Sequence, residues 1–149
     1  MDIYRVTFAG HRIIYGCRSL EDELEKIVKR ILKNKDYVEF YLGRNGDFDI
    51  LVASAVKRAQ KAFDNKSSLI LVQPYTTKDD EYYENFYDEI IYPLDRKTYH
   101  KAAITKRNEW MVDRSDMIIA FVTNDFGGAA ATLRYAESKG IEIMNIAEE

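Results

Sequence analysis

Arg107 is the residue whose position in the sequence best suits it to bind an anion. On a helix it would share a face with Ala103, Trp110 and Met111, which lie three or four positions away. A guanidinium on a mostly apolar face is costly to desolvate unless it finds a partner. We therefore expect Arg107 to point inward, toward a bound phosphate or toward an internal carboxylate such as Asp116. We expect Asn108, the next residue, to share that site.

Two adjacent glycines form the second candidate for anion binding. Gly127 and Gly128 precede the helical stretch AAATLRYAESKG. The first turn of a helix has unpaired backbone N–H groups, and the helix dipole favours an anion beside them. The sequence thus predicts a phosphate cradle that reaches Ala129, with polar side chains added by Thr123 and Asn124. A glycine turn that merely lets an Ala-rich helix pack closely is the alternative.

Two further glycine-bearing loops carry polar side chains. Their candidate ligand-binding residues are Gly10, His11 and Arg12 in one loop, and Gly43, Arg44, Asn45, Gly46 and Asp47 in the other. Asp47 or Asp49 could hold ribose hydroxyls, although capping of the following helix is the alternative role of either carboxylate. His11 could act as a general acid or base, or be a hydrogen-bonded loop histidine.

Strands and helices alternate along the chain, and their loops carry these groups. The periodicity predicts strands at Ile3 to Ala9, Tyr37 to Leu42, Ser68 to Val72, Met117 to Val122 and 141–146. It predicts helices at Ser19 to Lys33, at Phe48 to Phe63, around Arg107, and from the glycine pair to Gly140. Ser19 and Asp22 have capping-box spacing. The segment Tyr75 to Pro93 is predicted to contain a short helix, with EIIYP as a possible extended piece.

This alternation predicts an α/β fold: a single Rossmann-like domain over residues 1–149. Its doubly wound parallel sheet would have about five strands with helices on both faces. Ligands bind such sheets beyond the carboxyl ends of the strands, where the strand order reverses. The three glycine-bearing loops follow strands that can end there, so we expect them to form one site.

The tyrosine-rich segment has several possible roles. Six of the eleven tyrosines lie between Tyr75 and Tyr99. They could form a lid that stacks on a base, an oligomer surface, or an aromatic core under a long connection. The neighbouring acidic residues are predicted to form a solvated face, and they are Asp79, Asp80, Glu81 and Glu84.

Composition narrows the classes of partner. With 22 basic and 25 acidic residues the net charge is −3, which gives no field for a polyanion, so nucleic acid is predicted to be an unlikely partner. No apolar run approaches the roughly 18 residues of a membrane span. A single cysteine, Cys17, argues against disulfides and multi-cysteine metal sites and suits the cytoplasm. We expect neither a metal nor a cofactor.

Several of these motifs together resemble a known family. Arg107-Asn108, eight residues before Ser115-Asp116, is followed by an apolar strand and a Gly-Gly helix. This order resembles the RK…SD…PGGxGTxxE region of the Lonely Guy nucleoside-monophosphate phosphoribohydrolases. The whole chain resembles their superfamily, SLOG, named after Smf/DprA and Lonely Guy, and most closely its YpsA-like branch. The resemblance implies a Rossmann-like fold that binds a nucleotide or nucleotide-derived ligand, commonly in homodimers or larger assemblies.

The resemblance also implies a reaction for which this chain lacks one group. The enzymatic members cleave an N-glycosidic bond with the motif glutamate and an arginine, which Arg107 matches. At the glutamate position this chain has Arg134, or Tyr135 if the alignment shifts by one. A guanidinium cannot transfer a proton at neutral pH. The predicted function is therefore binding of a nucleotide-derived small molecule, with NAD-derived and cyclic signalling nucleotides as candidates, by a sensor or sequestering protein.

Two alternatives remain open. In an N-ribosyl hydrolase, His11, Asp47 or Asp49 would replace the missing glutamate. A DNA-associated protein related to the DprA branch is disfavoured by the acidic balance of the chain.

Overall fold

Strands and helices alternate in a computed structural model that describes residues 2–95, 97–98 and 100–148. The strands are β1 (Ile3–Gly10), β2 (Tyr37–Leu42), β3 (Ser67–Val72), β4 (Glu89–Ile91), β5 (Met117–Phe121) and β6 (Glu142–Asn145). The helices are α1 (Cys17–Asn34), α2 (Asp47–Ala62), α3 (Asp80–Tyr83), α4 (His100–Asp113) and α5 (Gly128–Lys139), followed by a 3-10 turn, Ile146–Glu148.

The strands form one parallel sheet in the order β4-β3-β2-β1-β5-β6. From β1 the chain first adds strands on one side and later returns to add β5 on the other side. The carboxyl ends of β1 and β5 therefore border the crevice where ligands bind in doubly wound sheets. The predicted α/β Rossmann-like sheet is confirmed, with six strands in place of about five.

Helices cover both faces of the sheet. Alternate strand residues point to opposite faces, and apolar side chains on each face pack against these helices. On one face, Phe8, Phe40 and Leu71 pack in one cluster with apolar residues of α1 and α2. On the other face, Ile118 packs with residues of α4 and α5, and Tyr41 with residues of α4. The strands buried on both sides explain the continuous apolar runs in the sequence.

The predicted N-terminal helix caps are wrong, whereas Gly140 ends α5 as the predicted C-cap glycine. α1 begins after Gly16, which has a left-handed conformation with φ of 70° and supplies no side-chain cap, so Ser19 and Asp22 do not form a capping box. Gly46 precedes α2, again with no side-chain cap. Two glycines thus stand at the N-cap positions in place of polar residues, which sequence spacing alone could not reveal.

The tyrosine-rich segment contains the short helix α3 and the edge strand β4, whose three residues add the sixth strand. Tyr87 is buried and Tyr83 packs against the same core cluster, as expected for an aromatic core under a long connection. Tyr82, by contrast, is exposed. Tyr99 lies outside the described residues.

Asp80 is hydrogen-bonded to residues on both sides of it in this segment. Its predicted place on a solvated face is wrong, because the residue is buried. It accepts hydrogen bonds from Tyr92 Oη at 2.6 Å, Thr77 Oγ1 at 2.7 Å, the Thr77 N–H at 3.0 Å and Gln73 Nε2 at 3.1 Å. Burial opposes ionisation of Asp80, but these bonds outweigh it and lower its pKa. Burial, followed by the bond to Asp80, raises the pKa of Tyr92 to about 12.

Candidate ligand-binding cleft

A cleft of about 440 Å³ opens at the carboxyl ends of β1, β2 and β5. The three glycine-bearing loops meet there with α4, as the strand order requires. Most of the predicted ligand-binding residues line it: Gly10, His11, Arg12, Gly43, Asn45, Arg107, Asn108, Asn124, Gly127, Gly128 and Ala129.

Four predicted ligand-binding residues lie outside the cleft lining and position their neighbours instead. Arg44 donates to Tyr87 Oη at 2.9 Å and lies over the Tyr83 ring. Asp47 accepts the Ile14 N–H at 2.9 Å. Gly46 passes so close to Arg12 that an added β-carbon would lie 2.4 Å from its Cα. The fourth residue, Thr123, holds His11.

Arg107 is aimed inward, as predicted, and is only 1% exposed. Its Nη1 donates to the Val72 carbonyl at 2.9 Å and its Nε donates to Asn108 Oδ1 at 2.8 Å. The expected alternative partner, Asp116, instead accepts the Arg5 N–H at 2.8 Å. Burial lowers the pKa of Arg107 and the negative charge of Asp49 opposes this, yet an arginine stays protonated in a protein.

Asp49 contributes a carboxylate to the cleft from the first turn of α2. It is half-buried, and its Oδ2 accepts the Asn45 N–H at 2.9 Å. Burial raises the pKa of this carboxyl, although the Asn45 bond and the charges of Arg107 and Arg44 act in the opposite direction. Asp49 therefore presents a partly desolvated carboxylate to the cleft.

The start of α5 forms the opposite wall. Gly127 precedes the helix with φ of 89° and provides no side-chain cap. The first bond back to its carbonyl comes from the Ala131 N–H at 3.0 Å, so the N–H groups of Gly128 and Ala129 lie before the helical ladder begins. An added β-carbon on Gly127 or Gly128 would meet no atom within 4 Å. The space in front of these donors is open.

The imidazole of His11 is hydrogen-bonded to Thr123, which follows β5. Its Nε2 accepts the Thr123 N–H at 2.8 Å and lies 3.0 Å from Thr123 Oγ1. A nitrogen that accepts a backbone N–H has its lone pair engaged. The hydrogen-bonded loop histidine is thus the better description of His11 than a free general base.

Arg134, at the position of the motif glutamate, does not line the cleft. Its Nη1 donates to the Asp125 carbonyl at 2.8 Å and so braces the loop that leads to Gly127. In this chain the residue stabilises the cradle from outside.

Asp49, one of the two carboxylates predicted to hold ribose hydroxyls, lines the cleft, but the sequence did not identify the largely apolar remainder of the lining. The missed lining residues are Phe8, Ala9, Ile104, Met111, Phe126 and Thr132. Most of them continue an apolar strand or helix, and periodicity does not distinguish a core residue from a cleft wall. Phe126, which is 72% exposed, carried the one available signal, an aromatic residue within a polar glycine loop.

Comparisons with known proteins find similarity in structure. No protein-family model and no curated protein sequence matches this chain. DNA processing protein A from Helicobacter pylori has a TM-score of 0.67 at 15% identity, over 94% of this chain and 63% of that protein. DNA processing protein A (DprA) from Streptococcus pneumoniae has a TM-score of 0.60 at 10% identity, over 98% of this chain and 60% of that protein.

This chain spans less than two thirds of the length of either neighbour. At such low identity the likeness shows the fold alone. Both neighbours are DprA proteins, which is consistent with the SLOG resemblance but shows only the shared fold. The YpsA-like placement stays a prediction.

The sequence predicted a small-molecule partner and nucleic acid as an unlikely one. This prediction of partners is wrong. The Helicobacter pylori neighbour was solved for its binding mode with single-stranded DNA, so this fold is compatible with a nucleic-acid partner. The error came from the net charge of −3, which averages the whole surface and does not describe one cleft.

No helix in the described parts of the chain combines the length and apolar character that a membrane crossing needs. Within the same residues, no group of three or more His, Cys, Asp or Glu side chains could hold a metal ion.

Proposed function

We propose that the cleft binds a nucleotide unit of single-stranded nucleic acid, with its phosphate at the start of α5. The observation that carries this proposal is that two sets of free donors face one cleft. One set comprises the backbone N–H groups of Gly128 and Ala129, beside the open space left by the two glycines. Backbone donors at a helix N-terminus bind phosphate without needing a particular base.

The second donor is the far end of the Arg107 guanidinium. Among the described residues its Nη2 has no hydrogen-bond partner, whereas Nε and Nη1 are both used. No fully enclosed side-chain nitrogen or oxygen of the described residues lacks a partner, so Nη2 reaches the cleft surface. A buried arginine with one free edge is a preorganised donor for a ligand.

Single-stranded nucleic acid is favoured as the source of the nucleotide by two features. The DNA processing protein A of Helicobacter pylori, which shares the fold, binds single-stranded DNA. At the rim of this cleft, Arg12 offers a cation and Phe126 an exposed ring. Cationic grooves with aromatic platforms suit unpaired bases, which can stack on a ring. The acidic chain limits such contacts to a few phosphates.

The cleft volume favours a second candidate. About 440 Å³ is within the 300–1,000 Å³ typical of small-molecule sites. A free nucleotide-derived ligand would also fit, and the protein would then act as a sensor or sequestering protein. In either case a YpsA-like ancestry and a homo-oligomeric state remain predictions.

A hydrolase would have to use Asp49. Of the three candidate replacements for the missing glutamate, His11 has its Nε2 engaged by Thr123 and Asp47 is bound to the Ile14 N–H outside the cleft. Asp49 lines the cleft, and burial raises its pKa, as general acids require. Its test is the release of free base, which our proposal of binding alone does not predict.

The proposal is tested by fluorescence anisotropy with a labelled single-stranded oligonucleotide, with unlabelled duplex and nucleoside monophosphates as competitors. We expect the single strand to bind more tightly than the duplex. We also expect log K to fall with log salt by about 0.7 per phosphate contacted. Chromatography of the same mixtures for free base tests the hydrolase.

Gly128→Val supplies the matched variant, because it fills the open space before the helix donors. Ala131→Val adds a similar side chain to an exposed position of α5 outside the cleft lining. We expect Gly128→Val to weaken binding at least about tenfold and Ala131→Val to leave it unchanged, with similar melting temperatures. Oligonucleotide binding that survives Gly128→Val, or that is absent from the wild type, would overturn the proposal.

A further inference from the structure

Two charged side chains of opposite sign face the cleft from different helices without meeting. Asp49 comes from the first turn of α2 and Arg107 from the middle of α4, and both line the cleft. None of the ion pairs formed by described residues joins them. The Arg107 guanidinium lies against Gly43 and Asp49 accepts the Asn45 N–H, so both side chains approach the same loop. The two side chains therefore present opposite charges to one cleft without pairing with each other.

Each of the two side chains has one unused edge. Asp49 uses Oδ2 for the Asn45 N–H, and its Oδ1 has no hydrogen bond to any described residue. Arg107 uses Nε and Nη1, which leaves Nη2. A carboxylate can only accept hydrogen bonds and a guanidinium can only donate them. The pair therefore presents one acceptor and one donor to the same space.

A phosphate does not suit this space, because its charge would repel Asp49. It suits the start of α5, where Gly128 and Ala129 offer donors and no carboxylate lines the wall. The two ends of the cleft thus differ in chemistry. One end offers donors alone, which suits an anion, and the other offers a donor and an acceptor, which suits a neutral group with both functions.

We propose that Asp49 and Arg107 together recognise the uncharged part of the bound nucleotide, an inference that rests on the proposed function. The group between them donates to Asp49 and accepts from Arg107. A sugar hydroxyl has this chemistry, and so does the edge of a base with adjacent N–H and C=O groups. In support, burial raises the pKa of Asp49, as expected of a desolvated carboxylate.

The inference is tested with inosine 5′-monophosphate and two deletion analogues, by isothermal titration. The 2′,3′-dideoxy analogue lacks the sugar hydroxyls, and purine riboside 5′-monophosphate lacks the N–H and C=O edge of the base. We expect one of the two deletions to weaken binding to the wild type about tenfold or more, because it removes a hydrogen bond to a charged group. The deletion that does so identifies the source of the group.

Asp49→Asn is the decisive variant, since its amide oxygen can keep the Asn45 bond while its NH₂ replaces the free acceptor. In this variant we expect the sensitive deletion to change affinity less than about twofold. Asp47→Asn, which removes the same charge outside the cleft, should keep the full tenfold effect. Asp49→Ser serves as a second variant, with the same expected loss, and thermal melting confirms that each variant is folded.

The outcomes separate this inference from the proposed function. In one outcome the monophosphate binds and Gly128→Val abolishes that binding, as the proposed function requires. If both deletions are then harmless, or act equally in Asp49→Asn and in the wild type, only the role of Asp49 and Arg107 is overturned. If neither the monophosphate nor inorganic phosphate binds the wild type, both proposals are overturned.

Discussion

The guanidinium carbon of Arg107 lies 2.9 Å from the point where a β-carbon would project from Gly43. Gly43 directly follows β2 at the cleft, and Arg107 approaches it from α4. The missing side chain of Gly43 lets the guanidinium reach the Val72 carbonyl and still face the cleft. The glycine and the arginine are therefore one structural unit, although 64 positions separate them in the sequence.

Gly43→Ala should destabilise the protein by about 1–3 kcal/mol, the usual cost of overpacking. The new methyl group would push the guanidinium from its two hydrogen bonds, which hold it too firmly for a cheap shift. Urea denaturation measures the change in the free energy of unfolding. In the Arg107→Ala background the same substitution should cost little. An equal cost in both backgrounds would show that the two residues are not coupled.

The two glycines before α5 should respond differently to alanine. Gly127 has φ of 89° and ψ of 176°, a conformation nearly restricted to glycine, so Gly127→Ala should cost about 1–3 kcal/mol. Gly128 lies in the helix, where alanine is favoured by about 0.5–1 kcal/mol, yet its methyl group should weaken phosphate binding. Gly140→Ala, with φ of 73° at the far end of α5, is the control for strain alone. It should lose stability and keep ligand affinity.

Much of this arrangement could be predicted from the sequence. The apolar runs fix the buried strands, and their alternation with helices fixes where the glycine loops meet. The inward direction of Arg107 followed from its apolar neighbours three and four positions away. Its partner did not, because the Val72 carbonyl comes from a strand 35 residues earlier and leaves no side-chain signal.

The errors have physical causes too. Asp47 and Asp49 look like helix caps, but Asp47 accepts the backbone N–H of Ile14, in the loop between β1 and α1. Asp80 looks solvated because its neighbours are acidic, yet four donors hold it in the interior. Such hydrogen bonds depend on loop paths that local periodicity does not describe. Net charge failed as a test of nucleic-acid binding because it sums over the whole chain and does not say where the charges lie.

Asp80→Asn should destabilise the protein by about 1–3 kcal/mol at neutral pH, since it removes bonds to a charged acceptor. The pKa of Asp80 is lowered in the folded protein, so its ionised form contributes stability above the unfolded pKa of about 3.9. That contribution is lost as the pH falls through the folded pKa. Urea denaturation at pH 7 and near pH 3 should show a smaller difference between wild type and variant in acid. A difference independent of pH would contradict this role.

Tyr92 should make the opposite contribution at high pH. Its pKa is raised from 10.0 to about 12 in the folded protein. The stability that its neutral hydroxyl provides is complete below about pH 10 and is lost as the pH rises through 12. The difference in stability between wild type and Tyr92→Phe should therefore shrink across this window. Denaturation at pH 9 and pH 11.5 measures it, and an unchanged difference would place the hydroxyl outside the Asp80 bond.

The most direct test of nucleotide binding in the cleft is an amide ¹H–¹⁵N NMR titration with a nucleoside 5′-monophosphate. The account predicts that the N–H resonances of Gly128 and Ala129 shift downfield as they bond to phosphate, together with the Arg107 side-chain resonance. Gly128→Val should abolish these shifts, and Ala131→Val should preserve them. Saturable shifts confined to another surface, with the start of α5 unaffected, would contradict the central claim.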